Sequence, residues 1–217
     1  MSLVNAIARA ADIKWVLDEI TRQQKAGRAS FKNVDLTHIC MSGHSFGGQT
    51  TFAVTGQTNP LPHNMFSRDD RIISAIAFSP NARSKMELDK QYGRINVPVL
   101  SITGSSDGSI LDTGTKPEDR WLPYQTMPGG NSGHKYLQSF VAGDHMIFGG
   151  RPITRSPKSS RDRQIQAGVK ASTLAFWEAL LNNDSAAKKW LEKGDFKATL
   201  VFADVFEFKY AQVKNAR

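Results

Sequence analysis

The run Gly43-His44-Ser45-Phe46-Gly47 constrains this chain more than any other feature. Before it stands the apolar stretch Leu36 to Met41. After it comes Gly48-Gln49-Thr50-Thr51-Phe52-Ala53-Val54, a segment that fits a helix. A strand that reverses into a helix around one residue forces that residue into a strained backbone angle. Flanking glycines, lacking a Cβ, let the neighbouring chain pass close to it. The turn lifts a serine hydroxyl clear of the strand end, as the nucleophile elbow of serine hydrolases does. A bare G-x-S-x-G also arises in glycine-rich turns that merely contain a serine. The strand before and the helix after therefore carry the weight.

A serine hydroxyl needs a base, and the base needs an orienting carboxylate. The chain holds five histidines. His145 lies in Phe140-Val141-Ala142-Gly143-Asp144-His145-Met146-Ile147-Phe148, where an apolar run breaks at a glycine just before the histidine. A histidine on a loop at a strand end suits general-base chemistry; the competing description is a surface-loop histidine. His44, inside the turn, is expected to point away from the serine. His38 alternates along its strand and reads as a packed or surface residue. For the carboxylate, Val97-Pro98-Val99-Leu100-Ser101-Ile102-Thr103 is a buried-strand pattern that ends in Gly104-Ser105-Ser106-Asp107-Gly108. Asp107 is the favoured acid, with Asp112 in the same loop and Asp144 beside the histidine as rivals. The order Ser45, Asp107, His145 is the chain order of α/β-hydrolases and differs from the two other common triad folds. The backbone N–H of Phe46, at a helix start, is the natural oxyanion donor.

These three strand ends resemble those of bacterial α/β-hydrolases. Pro117-Glu118-Asp119-Arg120, Lys135-Tyr136-Leu137 and the helix start Asn5 to Asp12 extend the likeness from about Val4 to the end of the chain. The group it most resembles is the dienelactone-hydrolase-like and platelet-activating-factor-acetylhydrolase-like esterases. The resemblance implies an α/β-hydrolase fold, a small-molecule ester substrate, no cofactor and no metal, with Ser45, Asp107 and His145 as the triad. Members of this group are often exported, so a periplasmic or secreted location stands beside a cytoplasmic one. No signal peptide is visible in the sequence.

In that family the serine strand is the fifth of the sheet. Here it begins near residue 35 after one helix. The resemblance implies that the first strands are missing, together with the turn that supplies the second oxyanion amide. A serine strand with one side unpaired is a template for association. Three coverings are expected as alternatives: an upstream segment, which also accounts for the lost turn; a second copy of the chain; or the C-terminal stretch around Val201 to Phe208.

The remaining patterns place these residues in one domain spanning 1–217. Ile13, Val16, Leu17 and Ile20 mark an amphipathic helix ending near Gly27. Strands are expected at 36–41, 72–78, 98–103 and 136–142, and a helix at 46–56. A long helix carries Ile165, Val169, Phe176 and Leu180, followed by a short one with Trp190 and Leu191. The stretch Val201 to Tyr210 fits strand and helix equally. Continuous apolar strands separated by helices indicate an α/β fold with a mostly parallel sheet covered on both faces. Two long connections, Thr55–Arg71 and Gly108–Gly133, are candidates for an apolar acyl pocket. His44, Ile110, Leu111, Trp121, Met146 and Phe148 are its candidate residues; ordinary loop packing is the plainer reading.

The net charge is +8. Much of the excess follows residue 150, interrupted by acids and without interleaved aromatics, which reads as a solvated surface and excludes a base-stacking nucleic-acid groove. No apolar run approaches the roughly 18 residues of a membrane span, and no Cys/His spacing suggests zinc. The single Cys40 lies in the serine strand and reads as a buried thiol. Thioesters, lactones and some amides yield to the same machinery, so the ester assignment shares the field with a thioesterase, lactonase or peptidase. A binding protein that kept the fold and lost turnover is the alternative from another class.

Overall fold

The structure, a computed structural model, describes residues 3–58, 68–82, 84–108, 114–129, 134–150, 160–201 and 203–210. Five strands form one sheet in sequential order. They are β1 (Ile39–His44), β2 (Ile72–Phe78), β3 (Val99–Ser106), β4 (Lys135–Asp144) and β5 (Val205–Lys209). The first four run parallel, and β5 is antiparallel to β4. The helices are α1 (Leu3–Lys25), α2 (Phe46–Thr55), α3 (Leu88–Tyr92), α4 (Leu122–Thr126), α5 (Ser160–Leu181), α6 (Ser185–Glu192) and α7 (Asp195–Ala198).

Successive strand residues point to opposite faces, and the core divides accordingly. Ile76, Leu100, Ile102, Tyr136 and Phe140 pack against Ile165 and Phe176 of α5, Leu191 of α6 and Phe196 of α7. Ala75, Ala77, Val99 and Leu137 pack on the other face against Phe52 of α2, Tyr92 of α3 and Tyr124 of α4. A third cluster joins Ala6 and Ala10 of α1 to Ala53, Val54 and Ile72. The result is an α/β fold with a mostly parallel sheet covered on both faces. Among the described residues no helix is long and apolar enough to cross a membrane.

Several local expectations shift for identifiable reasons. The serine strand starts at Ile39, not residue 36. The preceding Asp35 closes a side-chain turn instead, accepting from the Thr37 N–H (2.8 Å) and facing His38 Nδ1 at 2.6 Å. In α1 the inward face is Ala6, Ala10, Ile13 and Leu17, while Val16 is 43% exposed. Cys40 is half-buried rather than enclosed, its Sγ 2.8 Å from Ser74 Oγ. Its strand lies at the sheet edge, and β2 is its one strand neighbour among the described residues. Burial still pushes the Cys40 thiol up from its ordinary pKa.

The C-terminal stretch does not cover that edge. Its strand β5 pairs with β4 on the far side of the sheet, from Ser139↔Val205 to Lys135↔Lys209. Aromatic packing holds it there: Phe206 meets the Phe196 ring edge-on at 4.8 Å and stacks on Tyr136 at 6.1 Å.

Close backbone approach at the turn from β1 to α2 has one glycine requirement, not two. A Cβ on Gly43 would overlap the Gly47 carbonyl carbon and oxygen, whereas a Cβ on Gly47 would meet nothing within 4 Å. Gly43→Ala is therefore expected to destabilise the protein by about 3 kcal/mol or more through overpacking against backbone. Gly47→Ala should stay within about 1 kcal/mol of the parent, because alanine favours a helical position. Urea unfolding midpoints of the two variants check this. Equal losses would contradict it.

Candidate active site

Ser45, Asp107 and His145 each follow immediately on the last residue of a parallel strand: His44 of β1, Ser106 of β3 and Asp144 of β4. Parallel strands bring their C-terminal ends to one edge of the sheet, where such folds place their sites. Register does the rest. The Ser45 N–H donates to Phe78 O (2.9 Å) and the Ser79 N–H to Ile102 O (2.7 Å), so the ends of β1, β2 and β3 are laced together. Gly104 and Gly143 oppose each other where β3 and β4 end. A Cβ on Gly104 would overlap the Gly143 backbone. The two glycines thus let the segments bearing Asp107 and His145 converge.

Ser45 has φ 58 and ψ −113, and Ser79 and Ala142 at neighbouring strand ends also have positive φ, at 48 and 59. Such angles in non-glycine residues cost on the order of 1–3 kcal/mol each and persist only where surrounding structure dictates them. For Ser45 the surroundings include α1. Arg9 donates from Nε to Thr50 Oγ1 (3.2 Å) and lies over the Phe46 ring at 4.9 Å, fixing the start of α2. The Phe46 N–H is the first amide of α2, beyond reach of intrahelical acceptors and at the positive end of the helix dipole.

The side chains then connect. Ser45 Oγ is 2.9 Å from His145 Nε2, and His145 Nδ1 is 2.8 Å from Asp107 Oδ1. A carboxylate only accepts, so Nδ1 carries the proton and donates to Asp107. That leaves Nε2 with its lone pair toward Ser45, the tautomer required to take the hydroxyl proton. Asp107 is completely buried; its second oxygen accepts from Thr103 Oγ1 (2.8 Å). The rival Asp144 turns away and caps the next turn, accepting from the N–H groups of Met146 (3.0 Å) and Ile147 (2.9 Å).

Two neighbours of this chain of contacts were not assigned these places from the sequence. His44 bonds through Nε2 to the carbonyl of His145 (2.8 Å), with the two rings 4.6 Å apart. It supports the histidine through that residue's backbone carbonyl. Arg120, 2% exposed, sits behind Asp107. It lies in a 3₁₀ turn (Pro117–Trp121) where a loop was expected. Pro117 starts that turn, and Asp119 caps it by accepting from the Lys116 N–H (3.0 Å). Proline at the first position with acids beside it was the available signal.

Of the candidate pocket residues, Met146 is half exposed next to His145. Phe148 is buried in the core and stacks on Phe140 at 6.2 Å, so it is not a pocket wall. Trp121 packs half-buried against the Phe52 and Tyr92 cluster. Ile110, Leu111 and the rival acid Asp112 lie outside the described residues, as do Pro60 to Phe66 of the earlier connection. A separate cavity of about 300 Å³ between α5, α6 and the Thr199–Asp204 segment includes none of the three strand-end residues. Among the described residues no group of three metal-ligating side chains occurs. No protein-family model and no curated protein matches the chain.

Burial lowers the pKa of His44, an effect its bond to the His145 carbonyl only partly offsets. The folded protein therefore takes this proton later than the unfolded chain as pH falls. Stability that depends on neutral His44 is complete above the ordinary value of 6.5 and declines as pH drops below it toward the lower folded value. His44→Gln keeps a donor to the carbonyl and removes the titration. The variant's urea midpoint should fall less than the parent's between pH 7.5 and pH 5.5. Parallel curves would show that His44 carries none of the effect.

Proposed function

We propose that this protein is a serine hydrolase of the α/β-hydrolase type that cleaves carboxylic esters through an acyl-enzyme. One observation carries the reading: Ser45, His145 and Asp107 stand in continuous hydrogen-bond contact at the C-terminal edge of the sheet. The strained φ of Ser45 and the likeness of its three strand ends to dienelactone-hydrolase-like esterases support it.

In this reading Ser45 Oγ attacks the acyl carbon while His145 Nε2 takes the hydroxyl proton. Asp107 holds the imidazole by Nδ1 and offsets its transient positive charge. The oxygen of the tetrahedral adduct is met by the Phe46 N–H, aided by the α2 dipole. His145 then gives the proton to the leaving alkoxide, and the acyl group remains on Ser45. Water attacks that ester with His145 again as base, releasing the carboxylic acid and restoring the serine. Thioesters and lactones present the same electrophilic carbon and enter by the same steps.

Hydrolysis of short-chain p-nitrophenyl esters tests this. Ser45→Ala and His145→Ala should each abolish turnover above the buffer rate. Asp107→Asn should lower kcat by about 10⁴, because an amide no longer fixes the Nδ1–H tautomer. A fully active Asp107→Asn beside an inactive Asp112→Asn would move the acid to the neighbouring loop. A parent protein with no turnover would favour a binding protein built on this fold.

A further inference from the structure

Arg120 is a buried cation that the proposed chemistry does not use. Its side chain is 3% exposed, behind a fully buried carboxylate. Nε donates to the Asp107 carbonyl (3.0 Å), and one terminal nitrogen donates to Ser79 O (2.9 Å) and Pro80 O (3.4 Å). These acceptors close the ends of β2 and β3, so the guanidinium is locked by backbone from two strands. From that fixed place Nε lies 3.4 Å from Asp107 Oδ1, and the other terminal nitrogen lies 3.3 Å from His145 Nδ1.

The two distances at Nδ1 decide what the arginine does. Nδ1 cannot donate to Asp107 and also accept from Arg120. The carboxylate contact is the shorter, at 2.8 Å, and a guanidinium only donates. Arg120 therefore acts on His145 through the charge and position of Asp107. A guanidinium locked by backbone fixes where the carboxylate beside it can sit, and so fixes the direction from which Nδ1 is met.

We propose that Arg120 is a positioning residue, which holds the Asp107 carboxylate in place and aimed at Nδ1 of His145. The consequence for turnover rests on the hydrolase reading above; the effect on the Asp107–His145 pair does not. The other charged or titratable groups nearby leave this role to Arg120. His44 approaches from the end of β1 and bonds the His145 carbonyl. Asp144 faces its own turn. Asp119, next to Arg120, pairs outward with Lys85 at 2.7 Å.

The test uses the full chain with Arg120→Met and Arg120→Lys. Its two readouts are the downfield proton resonance of the His145 Nδ1–H, assigned by its loss in His145→Ala, and the pH dependence of kcat and KM. Arg120→Met should lose or displace the resonance and lower kcat by about 10² through misalignment. KM should be nearly unchanged, since the substrate is not touched. In Arg120→Met the acid limb of kcat should move to higher pH, because loss of a cation 3.3 Å from Nδ1 makes it easier for the Asp107–His145 pair to bind a proton. A purely structural role would reduce the amount of folded enzyme and leave that limb in place. Arg120→Lys keeps a charge without the fork and should lose less kcat, with the resonance displaced. If Arg120→Met does not fold, Arg120→Lys decides alone. Parent-like resonance and kcat in the folded variant overturn the inference. An Arg120-dependent resonance in a parent protein without turnover sustains it while removing the hydrolase reading. Parent turnover, with both turnover and resonance indifferent to Arg120, does the opposite.

Discussion

A carboxylate with no solvent exposure lies at the centre of the polar contacts along the C-terminal edge of this sheet. Ionised and alone, Asp107 would be too costly to bury. It is tolerated because His145, Thr103 and Arg120 surround it. Thr103 comes from the strand that ends just before Asp107, His145 and Arg120 from two other segments, and Arg120 is held in turn by backbone carbonyls. The buried charge thus converts a set of strand ends into one connected polar unit. Polar networks of this kind are costly when incomplete and rigid when satisfied. Every atom of the Ser45–His145–Asp107 line depends on that completeness.

Backbone geometry sets this unit in place before any side chain acts. The parallel ladder aligns the strand ends, and the absence of Cβ atoms at Gly104 and Gly143 lets two of them converge. On the opposite side, β1 carries the serine at the sheet edge, flanked by β2 alone among the described strands. Helix α1 compensates on one face, pinning α2 through Arg9 and the Ala6–Ala10 contact. Strain at Ser45 is sustained by these neighbours, as a positive φ in a non-glycine residue requires.

Much of this was legible in the sequence where the cause is local. The serine turn is encoded within a few residues, and β2, β3 and β4 appear as apolar runs bounded by breakers. Long α5 follows its apolar period. Features governed by distant partners were not legible. Arg120 looked like one charged residue in a loop because its acceptors, Ser79 and Pro80, lie some forty positions away. Strand β5 was ambiguous because its choice is made by Tyr136 and Phe196, not by its own composition. Phe148 beside the histidine suggested a pocket wall, yet the turn after Asp144 drives it into the core. Gly47 matched the motif without being sterically required.

The central claim is that Ser45 is an activated nucleophile, and covalent labelling with a fluorophosphonate probes it most directly. Displacement of fluoride by Ser45 Oγ needs the base and its orientation but no complete catalytic cycle. Intact mass should show one adduct per chain, and peptide mapping should locate it on the segment containing Ser45. His145→Ala should remove it. An unlabelled parent protein, or an adduct on another residue, would contradict the claim.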